Sequence, residues 1–371
     1  MTSLHVRPGA RRWAAASVAA LLAIGSLSAC VKERGPAEPS APPKPPWEAM
    51  EQKDWSEAQE ILDDAVETAD QYGIDLGVWV RVVGGPEEGL TANAGDQGEF
   101  YPASTIKSAV LAAAIDKFSD DLSEVVTVDG DDVVPVSVAG WGQYTVGQLI
   151  QYVASYSCNT SANALIDAVG GFDVINGYLE KMGVPPEFHI HNKLFVPSDD
   201  GERNSISPEA AGVFMTRLQE AADGDPYEDF MTVSDARQLL QVLTAGSWNR
   251  TAAYVGNSTQ KSGDTAEEAN DMGILYTPGG AIAFGAMTHF PGGANETVDA
   301  IMANVGQQLY ALLPAWEETA PEGAVPTWWN PYRPDVEPGG GTPVASEATE
   351  EDAAGYASGS VDGDSTGAVR H

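Results

Sequence analysis

The sequence predicts an α/β (α+β) fold in which an antiparallel sheet, flanked by helices, is joined to an all-helical lobe. Apolar residues recur with helical spacing over residues 55–72, and two segments rich in β-branched residues follow, separated by Gly84-Gly85-Pro86. This order is typical of a helix followed by a β-hairpin. The amphipathic segments 208–222 and 233–245 are assigned to the helical lobe.

The remaining elements follow from the same periodicities and from the turn residues between them. The predicted helices cover residues 55–72, a segment that opens at 102–104, and residues 146–154, 162–169, 170–183, 208–222, 233–245 and 297–312. The predicted strands cover residues 74–83, 90–94, 125–128, 133–138, 272–276 and 281–288. Thr145 is predicted to cap the helix that begins at Val146, because a threonine hydroxyl can accept a hydrogen bond from the first turn.

Length and charge limit the possible functions. The chain has 371 residues, of which 43% are hydrophobic, enough for one large domain or two smaller ones. Its formal net charge is −35, with only 19 Lys and Arg residues. Such an acidic chain repels phosphate groups, which argues against a nucleic-acid partner.

The first 30 residues resemble a bacterial lipoprotein signal peptide. Three arginines precede an apolar segment, residues 13–27, that is too short for a membrane span. The segment ends in Leu27-Ser28-Ala29-Cys30, and the resemblance implies cleavage before Cys30 and lipid attachment to its sulfur. An ordinary secretory signal is the alternative, and Arg11-Arg12 leaves the export route open. We therefore expect an exported protein, lipid-anchored to the outer face of the bacterial cell membrane.

Residues 101–116 are predicted to form a buried helix that carries a nucleophile. Ser104 and Lys107 lie three positions apart, so their side chains share one face of the helix. A serine hydroxyl needs a base to become a nucleophile, and a lysine can be that base when burial and nearby positive charge lower its pKa. A helix start with an incidental lysine is the alternative.

Two further motifs follow in a fitting local context. Ser157-Cys158-Asn159 lies between two predicted helices, and Lys261-Ser262-Gly263 precedes two predicted strands. Together with Ser104-x-x-Lys107 they resemble the motifs of the penicillin-recognising serine hydrolases, and most closely those of the class A β-lactamases. The resemblance extends over roughly residues 55–315 and implies the β-lactamase/transpeptidase-like fold.

The resemblance also implies a role for each motif residue. Ser104 would be the nucleophile and Lys107 its base, while Ser157 and Lys261 would manage the proton of the leaving group. Asn159 would hydrogen-bond the amide of the substrate. The strand residues Ser262, Gly263 and Asp264 would also bind the substrate. The backbone N–H groups of Ser104 and Asp264 would form the oxyanion hole.

Two motif positions depart from the family. Cys158 stands where an aspartate is usual, and we expect a packing cysteine there, with no second nucleophile. Asp264 places a negative charge where the carboxylate of a β-lactam approaches. The next strand, residues 271–274, offers no arginine to receive that carboxylate. These changes argue against an efficient β-lactamase and leave open a peptide, an ester or an uncharged ligand.

A third departure lies before residue 208. Residues 199–208 resemble the end of the family's omega loop, and counting back places the water-positioning glutamate of the family near Lys193. Residues 191–196 contain no carboxylate, so the resemblance implies that an acyl-enzyme would hydrolyse slowly. A refolded loop could supply a substitute from Glu187, Asp199, Asp200 or Glu202.

His189 and His191 form a His-x-His pair that could bind a metal on a strand. Two ligands are too few without further acidic or thiol groups, so no metal site is assigned. No cofactor is expected.

The chain is divided into five parts. These are the signal peptide 1–30, a Pro-rich tether 31–50, the catalytic domain 51–316, a C-terminal extension 317–334, and an acidic Gly/Ser-rich tail 335–371 that is predicted to be disordered. In the extension, Trp328 and Trp329 either line a sugar groove or pack as a strap on the domain.

The sequence thus predicts a monomeric serine hydrolase that acts on a small-molecule or peptide substrate through an acyl-enzyme on Ser104. One alternative is a penicillin-binding or peptidase-type enzyme that acts on cell-wall peptides. The other is a non-catalytic ligand-binding lipoprotein that keeps the pocket.

Overall fold

The computed structural model describes residues 44–85, 87–130, 132–196, 201–244, 250–313 and 328–332. The predicted signal peptide with Cys30, most of the tether and the predicted tail lie outside these residues. Residues 44–50, which were predicted to belong to the tether, contact the domain, since the Arg217 guanidinium donates to the carbonyl oxygen of Pro46 at 3.3 Å.

A six-stranded sheet forms the centre of the domain, with the strand order β1-β3-β2-β8-β7-β6. Every neighbouring pair is antiparallel except β1 and β3, which are parallel. The sheet strands are β1 (Lys53–Asp54), β2 (Asp75–Val83), β3 (Leu90–Gly95), β6 (Ser258–Asp264), β7 (Ala269–Thr277) and β8 (Gly280–His289). The predicted hairpin and the two late strands are confirmed, and β2 joins the two groups by pairing with β8.

Helices cover both faces of the sheet. They are α1 (Ser56–Gln71), α2 (Lys107–Phe118), α3 (Val146–Tyr156), α4 (Asn159–Val169), α5 (Phe172–Lys181), α6 (Pro208–Asp223), α7 (Val233–Thr244) and α8 (Asn295–Leu312). One apolar core lies between the sheet and the pair α1 and α8, and a second joins the sheet to the helical lobe. The predicted antiparallel sheet with flanking helices and an all-helical lobe is therefore confirmed.

Helix α6 crosses the sheet at close range because glycine allows the contact. A Cβ at Gly212 would lie 2.0 Å from the ring of Trp79 on β2, and a Cβ at Gly285 would lie 2.2 Å from the carbonyl oxygen of Pro208. Removing side chains from both surfaces lets the helix backbone approach the strands. This packing fixes the lobe against the sheet.

One predicted strand is wrong. Residues 133–138 form turns, and the partner of β4 (Val125–Val128) is instead β5 (Gly142–Thr145). Pro135 lacks the N–H that a strand ladder needs, and Val136 takes a positive φ of 67°. The valines of this segment therefore take no part in strand pairing.

The described part of the C-terminal extension packs on the domain. Trp328 and Trp329 are buried, which agrees with a strap and not with an open groove. Gln219 on α6 donates to the Trp329 carbonyl at 2.7 Å, and Tyr332 donates to the Ser258 carbonyl at 2.5 Å. Within the described ranges, none of the helices combines the length and the apolar character that a bilayer crossing requires.

Candidate active site

The turn that carries Ser104 brings the serine hydroxyl within hydrogen-bonding distance of the Lys107 amine. Residues Ala103–Ile106 form a 3-10 turn that runs into α2 at Lys107. Side chains three residues apart eclipse each other in a 3-10 turn, and the Lys107 Nζ lies 2.8 Å from the Ser104 Oγ. Ala103 has a positive φ of 48°, a strained backbone for a residue with a Cβ. The strain sits directly before Ser104.

Lys107 is fully buried and contacts four oxygen atoms. Besides Ser104, its Nζ lies 2.5 Å from the Ser157 carbonyl, 3.0 Å from the Ser157 Oγ and 2.6 Å from the Asn159 Oδ1. The carbonyl and the amide oxygen can only accept hydrogen bonds. In a neutral amine these two oxygens would accept its two N–H bonds, which would leave the lone pair for the serine hydroxyls.

The electrostatics of the site favour that neutral amine. Burial lowers the pKa of Lys107 well below its ordinary value, and the nearby charge of Lys261 lowers it further. Burial also lowers the pKa of Lys261, to about 8, against the opposing effect of Asp264 and Asp271. Of the two lysines, Lys107 is thus the one whose neutral form burial and the neighbouring charge favour.

The Ser157-Cys158-Asn159 segment reaches the site because α3 ends and α4 begins there. A capping box between Thr145 and Gln148 starts α3, as predicted for Thr145. Ser157 then ends α3 in the left-handed region with a φ of 50°, which turns its side chain and carbonyl toward Lys107.

Cys158 is a buried free thiol at the N-cap of α4. Its sulfur accepts from the Ser161 hydroxyl at 3.2 Å and the Ser161 backbone N–H at 3.5 Å. Burial raises its pKa, but the hydrogen bonds from Ser161, Ala139 and Val138 outweigh burial and lower it overall. The thiol thus accepts hydrogen bonds from Ser161 that hold the loop before α4 in place.

The strand β6 places Lys261, Ser262 and Gly263 along the edge of the site. A Cβ added to Gly263 would lie 2.6 Å from the Ser104 backbone nitrogen and 2.7 Å from the Pro102 carbonyl oxygen. Gly263 therefore lies against the backbone of the nucleophile turn, where only glycine fits. The backbone N–H groups of Ser104 and of the residue after Gly263 are brought to neighbouring positions.

Sequence reasoning missed Arg250, which binds Asp264. The Arg250 side chain is 1% exposed and its Nη2 donates to the Asp264 carboxylate at 2.5 Å. Its Nη1 donates to the Asn270 carbonyl at 2.9 Å, and its Nε donates to Asp299. The resemblance places the positive group on the strand of residues 271–274, whereas Arg250 precedes β6. The available signal was an arginine in a chain with only 19 Lys and Arg residues.

The segment that resembles the omega loop is held by Lys193. Its Nζ contacts the carboxylates of Asp132 at 2.8 Å and Asp167 at 2.6 Å. These two partners raise the pKa of Lys193 above its ordinary value, although burial opposes them. The next residue, Leu194, donates its N–H to the Asn163 Oδ1 at 2.8 Å. Lys193, near which counting along the sequence places the family's glutamate, is thus a cation paired with two carboxylates.

The proposed substitutes for that glutamate are divided between described and undescribed residues. Asp199 and Asp200 lie outside the described residues. Glu187 and Glu202 lie within the described residues.

The two histidines have rings 4.2 Å apart, and the Asn176 amide contacts the His189 Nε2 at 3.0 Å. Within the described ranges, the side chains that could hold a metal are instead Glu267, Glu268 and His289. They lie on the β6–β7 turn and at the end of β8.

The chain is similar in sequence to known proteins. Residues 57–313 match the family described as the beta-lactamase enzyme family. The extended-spectrum beta-lactamase PER-1 from Pseudomonas aeruginosa is 27% identical over 234 residues, 57% of this chain and 75% of that protein. Beta-lactamase BRO-1 from Moraxella catarrhalis is 22% identical over 238 residues, 58% of this chain and 74% of that protein.

Solved structures agree on the fold. A variant of PBP-A, solved as its acyl-enzyme complex with penicillin G, superposes with a TM-score of 0.60 at 20% identity, over 70% of this chain and 97% of that chain. A beta-lactamase from Sphaerobacter thermophilus superposes with a TM-score of 0.57 at 22% identity, over 71% of this chain and 100% of that chain. At these identities the likeness establishes the fold.

The family match, together with a buried Ser-Lys pair in a sheet-and-lobe fold, defines a serine hydrolase of the penicillin-recognising superfamily. The family match covers more than half of the sequence, and the chain belongs to the beta-lactamase enzyme family. The predicted family, fold class and enzyme class are therefore confirmed.

Proposed function

We propose that the protein forms an acyl-enzyme on Ser104 from the carbonyl of an amide, a peptide or a β-lactam, with Lys107 as the base. The observation that carries this proposal is the distance of 2.8 Å between the Lys107 Nζ and the Ser104 Oγ in a buried site. The lowered pKa of Lys107 supports it, because a base must be uncharged before it accepts a proton.

The proton path follows from the same contacts. As the Ser104 Oγ bonds to the carbonyl carbon, its proton passes to the lone pair of Lys107. Ser157, whose Oγ is 3.0 Å from the same nitrogen, then gives its proton to the leaving nitrogen and is replenished from Lys107. Lys261 adds positive charge, and the N–H groups of Ser104 and Asp264 bind the oxyanion. Asn159 orients Lys107 and hydrogen-bonds the substrate amide.

We propose further that release of the acyl group is slow. Deacylation needs a water molecule with a base beside it, and a carboxylate is the usual base for that step. Near the position where the family has its glutamate, Lys193 is paired with Asp132 and Asp167. This feature also favours the second candidate function, a penicillin-binding or peptidase-type enzyme that transfers cell-wall peptides. The PBP-A structure, described as an acyl-enzyme complex with penicillin G, is in line with it.

Intact mass spectrometry tests both proposals. The full chain, Ser104→Ala and the matched control Ser108→Ala are incubated with penicillin G and with a fluorophosphonate. We expect both reagents to add to the unchanged chain and to Ser108→Ala, and neither to add to Ser104→Ala. A penicillin adduct that persists for many minutes supports slow deacylation, and rapid penicillin turnover without an adduct contradicts it.

Failure of both reagents to label Ser104 would refute acylation and leave the non-catalytic ligand-binding alternative. Folding of each variant is checked by its thermal transition.

We also propose that the protein is exported and lipid-anchored through Cys30, and that it acts as a monomer. The arginine-rich start, the apolar segment and Leu27-Ser28-Ala29-Cys30 support the anchor. Metabolic labelling with an alkyne fatty acid should mark the unchanged chain and not Cys30→Ala. Equal labelling of both would refute lipidation at Cys30.

A further inference from the structure

The end of β6 carries a carboxylate next to the nucleophile. Gly263 packs against the backbone nitrogen of Ser104, so Asp264 lies one residue beyond that contact. The side chain of Asp264 is 46% exposed. The Asp264 carboxylate therefore belongs to the strand that borders Ser104, one residue beyond the contact with the nucleophile turn.

Arg250 is not available to bind a carboxylate on a substrate. Each of its three guanidinium nitrogens donates to an acceptor of the domain, the carboxylates of Asp264 and Asp299 and the carbonyl of Asn270. The side chain is also almost fully buried. A carboxylate on a substrate would have to displace Asp264 to reach the arginine.

The surrounding charges leave this end of the site acidic. Asp271, fully buried beside Arg250, accepts from the Thr251 N–H at 2.8 Å and adds a third carboxylate to the cluster. Against Asp264, Asp271 and Asp299 stand Arg250 and Lys261. Asp264 is an exposed member of this cluster and directly follows Gly263, the residue that lies against Ser104.

We propose that Asp264 selects the substrate by charge. Acyl donors with a positively charged leaving group are preferred over those with a carboxylate at the same place. The leaving group is the relevant part because Lys261, whose positive charge would support proton transfer to that group, lies on the same strand as Asp264. This inference rests on the proposed acylation of Ser104 and names the class of substrate for it.

A matched pair of thioesters tests the proposal. Phenylacetyl thiocholine carries a quaternary ammonium leaving group, and S-phenylacetyl-3-mercaptopropionate carries a carboxylate. Both leave the same phenylacetyl group on Ser104, so the acyl-enzyme and its later hydrolysis are identical. The two thiols differ in leaving-group strength as well as in charge, so the deciding quantity is how a variant changes the ratio of the two rates of adduct formation, followed by intact mass on the full chain.

We expect the thiocholine ester to acylate the unchanged chain at least about tenfold faster than its partner, which corresponds to about 1.4 kcal/mol. Asp264→Asn removes the charge at nearly constant size and should reduce this ratio about tenfold or more. Asp264→Ser should act in the same direction if the asparagine variant folds poorly. Glu267→Gln, which removes an exposed charge three residues further on, should leave the ratio unchanged and controls for the general acidity of the chain.

The outcomes separate the two claims. If the fluorophosphonate labels Ser104 in every variant but the thioester ratio is the same with and without Asp264, charge selection is refuted while acylation stands. If no reagent labels Ser104 in the unchanged chain, both claims fail together. An equal fall of the ratio in Glu267→Gln and Asp264→Asn would also refute the specific role of Asp264.

Discussion

Replacing Gly263 with alanine should disable acylation while leaving the catalytic side chains in place. The backbone at this position needs no special φ, so the only change is one added methyl group. That methyl would lie 2.6 Å from the Ser104 nitrogen, 2.7 Å from the Pro102 carbonyl oxygen and 2.8 Å from the Thr105 nitrogen. All three are backbone atoms of the nucleophile turn, so no flexible side chain can move aside.

The size of the effect follows from these distances. Ordinary contact for a Cβ begins at 3.4 Å, so β6 and the turn must separate by up to about 0.8 Å. The separation moves the N–H of Ser104 away from the N–H of Asp264, and the two no longer point at one oxyanion. Loss of one such donor costs about 2.7–4 kcal/mol of transition-state stabilisation, or on the order of 10²–10³ in rate. Overpacking should also lower the free energy of unfolding by about 1–3 kcal/mol.

The assay is the second-order rate of acylation by penicillin G, with urea unfolding in parallel. Gly177→Ala is the matched control, because Gly177 lies inside α5 and a Cβ there meets nothing within 4 Å. It should raise the free energy of unfolding by up to about 1 kcal/mol and leave acylation unchanged. A Gly263→Ala variant that acylates within threefold of the unchanged chain would refute the close packing of β6 on the turn.

Three further predictions concern charges. Burial lowers the pKa of Lys261 to about 8, so acylation should decline as pH rises above about 8. Lys261→Arg should move this decline to higher pH. Coincident pH profiles of the two proteins would show that the charge is not needed. Lys193→Met should leave the buried Asp132 without its cation and lower the free energy of unfolding in urea by about 1–3 kcal/mol; an unchanged midpoint would contradict this. Burial raises the pKa of Asp223 from 3.8 to about 7, so its protonated form stabilises the fold fully below pH 3.8 and this contribution is lost as pH rises through about 7. Urea unfolding of Asp223→Asn should lack that part of the pH dependence, and an identical dependence in both proteins would count against it.

The parts of the site that the sequence could predict are those set by local spacing. Ser104 and Lys107 are three residues apart, and Ser157 and Asn159 flank a helix boundary that capping residues mark. Such patterns fix side-chain directions within one or two turns. The helices and most strands were predicted for the same reason, since apolar periodicity follows the element's own geometry.

The missed features depend on contacts between distant segments. Lys193 binds Asp132, which is 61 positions earlier, and Arg250 binds Asp299, which is 49 positions later. No local pattern marks a partner at such distances. The wrongly predicted strand at residues 133–138 has a local cause. Its valines fit a strand, but Pro135 and the backbone at Val136 exclude one.

The geometry around Lys107 explains why acylation and deacylation need not be equally fast. In the proposed mechanism the two N–H bonds of the neutral amine are taken by the Ser157 carbonyl and by Asn159, and its lone pair faces the Ser104 oxygen. That lone pair is well placed for the hydroxyl proton of Ser104. Once Ser104 is an ester, this hydroxyl is consumed, and the water that attacks the ester needs a base beside it. A second base is then required, and near the family's position for it the chain has Lys193 bound to two carboxylates. We therefore expect a long-lived acyl-enzyme after substrate is added. An acceptor with its own amine should remove the acyl group from Ser104 faster than water does.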